Sequence, residues 1–200
     1  MLLIGAAMFL PDTLLFRHYL EELRELLKTQ AIRRGRFTLA SGQESDLYLD
    51  TRCVSLSARG SYLIGWLFHA VLDANAFSPD AVGGMALGAA PLVSAVLSQS
   101  AMVGQPIKAG FLVRAQTKAH GTQKVIEGSL APWMQVMMLE DVVTSGGSLL
   151  KALDVLAKNY PNVRPQGILS LVNRSGESAL TLQKRFGQPF LSLFSLSDLV

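Results

Sequence analysis

The sequence predicts an α/β protein in which a parallel, doubly wound β-sheet is flanked by helices. Short apolar segments typical of buried strands alternate with helical patterns over most of the chain. This alternation favours a parallel sheet, because parallel strands need crossover connections, usually helices. Half of the 200 residues are hydrophobic and 16% are charged, which predicts one domain, residues 1–200, with a well-buried core.

The first fifty residues predict a helix followed by two short strands. Residues 11–13 offer a helix start, apolar residues recur at helical spacing to Leu27, and residues 33–35 are the predicted helix end. Residues 37–50 then predict two strands around a Ser-Gly turn.

The apolar segment 1–10 is too short to cross a bilayer. We expect it to pack against the body or a partner, with a truncated signal peptide as the alternative.

The remaining elements alternate between helices and strands. Ser57 is the predicted cap of a helix that reaches Leu72. Further strands are predicted at 81–84, 107–113, 136–139, 167–172 and 190–194, with helices near 92–100, after residue 148 and at 177–186. Ligands of such sheets bind at the C-terminal ends of the strands. Several residues that could serve a ligand site lie at the predicted strand ends: Gly84, Arg114, Glu140, Asp141 and Arg174.

The most informative stretch is residues 136–150, an apolar strand followed by an acid pair, a Thr-Ser-Gly-Gly-Ser loop and a helix. Backbone N–H groups at such a loop and helix N-terminus bind anions. The loop is neither a Walker A motif nor a dinucleotide fingerprint. Carboxylates beside a phosphate loop suit ribose hydroxyls, so the stretch predicts a ribose 5-phosphate site. The alternative is a strand–turn–helix unit with solvated acids and a simple capping turn.

The polar segment from Arg114 to Ser129 contains several cations, a histidine and few apolar anchors. A long polar loop in a compact domain often serves as a lid. Arg114 and Lys118 could clamp a diphosphate, and His120 could donate a proton to it. On charge alone, an ordinary solvated loop is the alternative.

Several segments together resemble, in order and spacing, the orotate phosphoribosyltransferases of the type I phosphoribosyltransferase family. They are residues 37–39 with Ser41-Gly42, Arg114 with residues 118–121, residues 126–128, residues 140–148, and Asn173-Arg174. The resemblance covers nearly the whole chain after about Thr13. It implies a central parallel sheet, a small N-terminal hood within about 1–50, and a flexible lid loop at about 114–129.

The resemblance implies transfer of a 5-phosphoribosyl group from 5-phospho-α-D-ribosyl 1-diphosphate (PRPP) to orotate. The products would be orotidine 5′-phosphate and diphosphate, in the de novo synthesis of UMP. The residues implied to bind PRPP are Arg114, Lys118, His120, Glu140, Asp141, Val142, Val143, Thr144, Ser145, Gly146, Gly147 and Ser148. Those implied to bind orotate are Tyr48, Leu49, Thr144 and Arg174, with the Arg174 guanidinium on the orotate carboxylate. The implied catalytic residues are Lys118, His120 and Asp141.

The resemblance also implies a cofactor and an assembly. Mg²⁺ is expected on the diphosphate of PRPP, with no protein side chain assigned to the metal. A cytoplasmic homodimer is expected, with the lid loop of one subunit reaching the site of the other.

Neither nucleic acid nor a membrane is an expected partner, because the net charge of +3 is spread over scattered cations and no stretch has transmembrane length. Cys53, the single cysteine, allows no intrachain disulfide.

The chain departs from the family pattern at several positions. Ala115-Gln116 stands where Lys-Glu is frequent, Glu44 where a basic residue is usual, and Asn173 where an Asp usually precedes the arginine. The alternatives are another nucleobase phosphoribosyltransferase, a PRPP-binding regulator and an inactive homologue. Arg174 disfavours a purine enzyme, because purine bases carry no carboxylate. A regulator would need a basic face or an added DNA-binding segment, and the sequence shows neither clearly.

Overall fold

The computed structural model describes residues 10–38, 44–104, 107–115 and 124–200. Three features of the sequence analysis lie outside these residues: most of the apolar segment 1–10, the Ser-Gly turn at 41–42, and the centre of the lid loop at 116–123.

The N-terminal segment forms a helix and a two-stranded antiparallel sheet. Helix α1, Leu14–Leu26, begins where the Thr13 hydroxyl accepts a 3.1 Å hydrogen bond from the Phe16 N–H. A π-helical turn, Leu27–Ala31, leads into strand β1, Ile32–Thr38, which pairs with strand β2, Glu44–Leu49. We call β1 and β2 the hood.

The predicted helix end at residues 33–35 is wrong. Those residues belong to β1, where Arg33 pairs with Tyr48 and Arg34 pairs with Leu47. Gly35 favoured a helix end, but pairing with β2 satisfies the backbone as a strand instead, and local sequence cannot reveal that partner.

The later elements follow the predicted order. In chain order they are α2 Arg52–Ser55, α3 Ala58–Ala74, β3 Ala81–Met85, α4 Ala89–Val103, β4 Ala109–Val113, β5 Ile126–Gly128, β6 Gln135–Val143, α5 Gly147–Asn159, β7 Arg164–Asn173, α6 Ala179–Phe186 and β8 Phe190–Ser195. The predicted Ser57 cap is confirmed, because its hydroxyl accepts a 3.0 Å hydrogen bond from the Gly60 N–H. No helix within the described residues is long and apolar enough to cross a membrane.

Six strands form the central sheet in the order β5-β4-β3-β6-β7-β8. Strands β4, β3, β6, β7 and β8 are mutually parallel, which confirms the predicted parallel sheet. Strand β5 runs antiparallel to β4 at the edge. Strand β5 lies within the segment that the sequence predicted as a polar lid. A strand of three residues is too short to show the alternation typical of strands.

Helices cover both faces of the sheet, as in a doubly wound fold. Met137 and Leu139 of β6 pack on the side of α1, α3 and α4. Val136 and Met138 pack on the opposite side, with α5 and α6. Consecutive strand side chains point to opposite faces, so the continuous apolar run of β6 fills two cores. Because β6 is buried on both faces, its position along the sheet is fixed, and so is the position of the acid pair Glu140-Asp141.

Candidate active site

A cavity of about 420 Å³ opens where the C-terminal ends of β3, β6 and β7 meet the end of β2 and the start of α2. Its lining residues are Leu49, Asp50, Thr51, Arg52, Met85, Ala86, Leu87, Gly88, Glu140, Asp141, Val142, Thr144, Ser148 and Arg174. Ala86 and Leu87 are joined by a cis peptide bond. The position is the one that parallel α/β sheets use for ligands.

Glu140 lies inside β6, although the sequence analysis placed the acids after the strand. The strand continues to Val143, because β7 pairs with it as far as Asn173. The Glu140 side chain is only 7% exposed, and its Oε2 has no hydrogen-bond partner among the described residues. Burial, and then the negative charge of Asp141, raise the pKa of Glu140 to about 8. At neutral pH the carboxyl therefore carries a proton and can both donate and accept a hydrogen bond.

The carboxylate of Asp141 is oriented from three directions. Its Oδ1 accepts a 2.9 Å hydrogen bond from the Val142 N–H. Its Oδ2 accepts a 3.2 Å hydrogen bond from the Thr51 hydroxyl. On the third side, a Cβ at Gly88 would stand 2.5 Å from Oδ1, so any side chain at residue 88 would displace the carboxylate.

Arg174 follows β7 and joins the cavity to the hood. Its backbone N–H donates a 2.8 Å hydrogen bond to the Val143 carbonyl, and its Nη2 donates a 3.0 Å hydrogen bond to the Leu47 carbonyl. The preceding residue, Asn173, donates from Nδ2 to the Glu177 carbonyl at 2.8 Å. An aspartate could not make that bond, so the departure at residue 173 has a role in shaping the loop after β7.

The loop between β6 and α5 contributes Thr144 and Ser148 to the cavity. Gly146 has a φ of +74°, and a Cβ on it would stand 2.7 Å from the Phe186 ring, so glycine is required here. Gly146 supplies no side-chain cap to α5, and of its first N–H groups that of Gly147 makes a long, 3.5 Å hydrogen bond to Ser145 Oγ. The N-terminus of the helix is therefore suited to binding an anion. Ser145 and Gly147 belong to the same loop but do not line the cavity.

The two described arms of the lid are bonded to each other, and one of them is also bonded to α5. Arg114 forms a 3.0 Å ion pair with Glu127, and its N–H donates a 2.9 Å hydrogen bond to the Val125 carbonyl. Lys151 Nζ donates a 3.0 Å hydrogen bond to the Ala115 carbonyl. Arg114 does not line the cavity, and Lys118 and His120 lie outside the described residues. Glu44 lies exposed at the start of β2, also away from the lining.

The hood brings one of its two predicted orotate contacts to the cavity. Leu49 lines it, whereas Tyr48 stacks on Phe37 with the ring centroids 5.4 Å apart. Neighbouring side chains of a strand point to opposite faces, so Tyr48 and Leu49 cannot both face one site from β2.

Residues 50–52 and 85–88 line the cavity, although no site role was predicted for them. Asp50 binds the Arg52 guanidinium at two points, 2.7 Å to Nε and 2.9 Å to Nη2. That hydrogen bonding, with the charges of Asp50 and Asp141, raises the pKa of Arg52 above its ordinary value. Arg52 and Arg174 are the two cations among the described lining residues. The signal available in the sequence was the Asp-Thr-Arg triplet directly after a predicted strand.

The chain is similar to curated proteins over most of its length. It is 44% identical to the orotate phosphoribosyltransferase of Thermosynechococcus vestitus over 180 residues, covering 90% of this chain and 92% of that protein. It is 38% identical to the orotate phosphoribosyltransferase of Rhodopirellula baltica over 184 residues, again covering 90% and 92%. No protein-family model matches the chain.

The fold is similar to solved structures. Orotate phosphoribosyltransferase of Mycobacterium tuberculosis in complex with PRPP superimposes with a TM-score of 0.73 at 31% identity, covering 90% of this chain and 98% of that chain. The fold class inferred from strand and helix alternation is therefore confirmed.

Proposed function

The chain belongs to the orotate phosphoribosyltransferase family, and we propose that the cavity at the C-terminal edge of its sheet is the active site. The protein is an enzyme of pyrimidine biosynthesis that transfers the 5-phosphoribosyl group of PRPP to orotate. The observation that carries the proposal is the meeting of the acid pair, Thr144, Ser148 and Arg174 around one cavity.

The 5-phosphate of PRPP binds at the loop before α5. Thr144 and Ser148 supply hydroxyl donors, and the uncapped N-terminus of α5 supplies N–H groups and the positive end of the helix dipole. Asp141 accepts hydrogen bonds from the ribose hydroxyls, while the protonated Glu140 donates one and accepts another.

Orotate binds between the hood and Arg174. The guanidinium pairs with the orotate carboxylate, and Leu49 covers the pyrimidine ring from the hood. Arg52, held in place by Asp50, is a second cation in the same cavity and counters the charge of two anionic substrates.

The reaction breaks the bond between ribose C1 and the diphosphate while orotate N1 attacks C1. Positive charge develops on the ribose, and the Asp141 carboxylate stabilises it from the side of the ring hydroxyls. Lys118 and His120 of the lid bind the leaving diphosphate, and the closed lid excludes water that would otherwise hydrolyse PRPP.

Mg²⁺ is the proposed cofactor, bound mainly by the diphosphate oxygens of PRPP, where it would neutralise charge on the leaving group. Among the described residues, no cluster of three or more His, Cys, Asp or Glu side chains could hold a metal ion. The donors in the cavity suit a hard cation that keeps its waters and binds through a substrate, because Mg²⁺ in such sites uses few protein ligands.

We further propose a cytoplasmic homodimer in which the lid of one subunit closes over the site of its partner. This arrangement is supported by one observation: the described lid residues Arg114 and Ala115 do not line the cavity of their own subunit. A two-fold assembly would then supply each site with the lid cations of the other subunit.

The test is the loss of orotate absorbance in the presence of PRPP and Mg²⁺, with adenine, hypoxanthine and uracil in parallel reactions. Orotate should be consumed only when both PRPP and Mg²⁺ are present, and the other bases should not be consumed. Turnover of a purine base or uracil in place of orotate would contradict the assignment of Arg174, and binding of PRPP with no turnover of any base would favour the inactive homologue.

A further inference from the structure

Thr51 is buried in the wall of the cavity, with 1% of its surface exposed. It stands at the N-cap of α2, where a threonine hydroxyl usually accepts a hydrogen bond from a backbone N–H of the first turn. Thr51 makes no such side-chain cap. Only its backbone carbonyl serves the helix, accepting the Val54 and Ser55 N–H groups at 3.0 and 2.8 Å.

The hydroxyl of Thr51 is directed at the acid pair instead. It donates to Asp141 Oδ2 at 3.2 Å, across 90 residues of sequence. An ionised carboxylate accepts about four hydrogen bonds. The Thr51 hydroxyl and the Val142 N–H occupy one on each oxygen, which leaves one free direction per oxygen for a ligand.

We infer that Thr51 is a positioning residue for PRPP: its hydroxyl fixes the carboxylate plane of Asp141 so that both oxygens face the ribose. The inference rests on the proposed role of Asp141 as a ribose-binding group. On the third side, a Cβ at Gly88 would stand 2.5 Å from Oδ1, so only a glycine there leaves the carboxylate in this position. Thr51 follows β2 and therefore couples the placement of the hood to PRPP binding.

The test compares Thr51→Ser with Thr51→Ala. Both variants remove the same methyl group, and they differ only in the hydroxyl. The alanine variant is expected to raise the KM for PRPP by about tenfold, the effect of losing one hydrogen bond to a charged group. The KM for orotate should stay unchanged, and the serine variant should restore PRPP binding.

Ser55→Ala is the matched control. Ser55 lies one helical turn after Thr51, is 2% exposed, and its hydroxyl has no hydrogen-bond partner among the described residues. Its removal should leave both KM values unchanged. A PRPP effect in Ser55→Ala equal to that in Thr51→Ala would overturn the inference, because it would assign the effect to the packing of α2.

Asp141→Asn separates this inference from the proposed function, and the double variant with Thr51→Ala tests the coupling. If Thr51 acts through Asp141, the double variant binds PRPP no more weakly than Asp141→Asn alone. If Asp141→Asn weakens PRPP binding and Thr51→Ala does not, the inference about Thr51 fails and the proposed site stands. If Asp141→Asn leaves PRPP binding intact, the proposed role of Asp141 is wrong, and the inference about Thr51, which rests on that role, is wrong with it. A direct PRPP titration by calorimetry gives the same comparison should turnover be too slow to measure.

Discussion

Arg174 donates a 3.0 Å hydrogen bond from Nη2 to the backbone carbonyl of Leu47, 127 residues earlier in the chain. This bond joins the loop after β7, where Arg174 lines the cavity, to the hood. A guanidinium carries five N–H donors, so the bond to the hood is compatible with the proposed pairing of Arg174 with an orotate carboxylate. The hood and the loop after β7, which together form the proposed orotate site, are therefore directly hydrogen-bonded to each other.

Arg174→Ala is expected to raise the KM for orotate by roughly 10- to 100-fold, because a charge-assisted hydrogen bond to the carboxylate is lost. The KM for PRPP should change little. Steady-state kinetics with each substrate varied in turn will measure both.

Arg164→Ala is the control for this variant, since Arg164 is exposed at the opposite end of the same strand. It should leave both constants unchanged. A parallel rise of both constants in Arg174→Ala, with a lower melting temperature, would instead assign Arg174 to holding the hood.

Glu140→Gln is expected to stabilise the protein at neutral and alkaline pH. The folded pKa of Glu140, about 8, lies above its ordinary value of 4.5, so the folded state binds more protons between these two values. Stability therefore falls as pH rises through that window, and each pKa unit corresponds to about 1.4 kcal/mol. Glutamine has no proton to lose, so the advantage of the variant should grow from pH 5 to pH 8.

Thermal unfolding from pH 5 to pH 9 checks the sign, with Asp154→Asn on the exposed side of α5 as the control. The slope of melting temperature against pH should flatten in Glu140→Gln and stay as in the wild type in Asp154→Asn. Equal slopes in all three proteins would show that Glu140 is ionised in the folded state.

Gly146→Ala is expected to destabilise the protein and weaken binding of ribose 5-phosphate. A non-glycine residue at φ +74° costs about 1–2 kcal/mol. The added methyl would also press on the Phe186 ring, and overpacking of this kind costs about 1–3 kcal/mol. Denaturant unfolding and calorimetry with ribose 5-phosphate measure the two effects.

Gly187→Ala isolates the conformational part of that loss. Gly187 has a similar φ of +65° at the end of α6, but nothing lies within 4 Å of the added Cβ. It should lose stability through conformation alone and keep its affinity for ribose 5-phosphate. Equal losses in the two variants would rule out the contact with Phe186 as a determinant of the loop.

Subunit exchange tests the shared lid. Lys118→Ala and Arg174→Ala are each expected to be nearly inactive, but mixing them should restore activity. After exchange about half of the dimers are mixed, and each mixed dimer has one site with both changes and one with neither, so about a quarter of the wild-type activity returns. Background activity after verified exchange would reject a lid shared between subunits.

The candidate site was recognisable from the chain because much of it is contiguous. The acid pair, the Thr144–Ser148 loop and the start of α5 occupy a single strand–loop–helix unit, and Arg174 follows the next strand along the sheet. The caps Thr13 and Ser57 were equally readable, since a cap bonds to a backbone N–H only three residues away.

Local sequence did not reveal which side chains the hood would present. Strand alternation turns Tyr48 toward Phe37 and Leu49 toward the cavity, and the choice depends on the register between β1 and β2. The short strand β5 was missed for a related reason. Its three residues are a strand because β4 lies beside them, not because of any pattern of their own.

The sequence by itself determined the α/β class, the order of strands and helices, and the position of the Thr144–Ser148 loop, because each of these depends on periodicity or on neighbours within a few residues. Only the tertiary structure decided the environment of the acid pair. Burial in β6 raises the pKa of Glu140 to about 8, while Thr51, 90 residues away in the chain, donates a hydrogen bond to the carboxylate of Asp141. Two adjacent carboxylates thus acquire different chemistry, because desolvation and hydrogen bonding arise from chain segments that meet only in the folded protein.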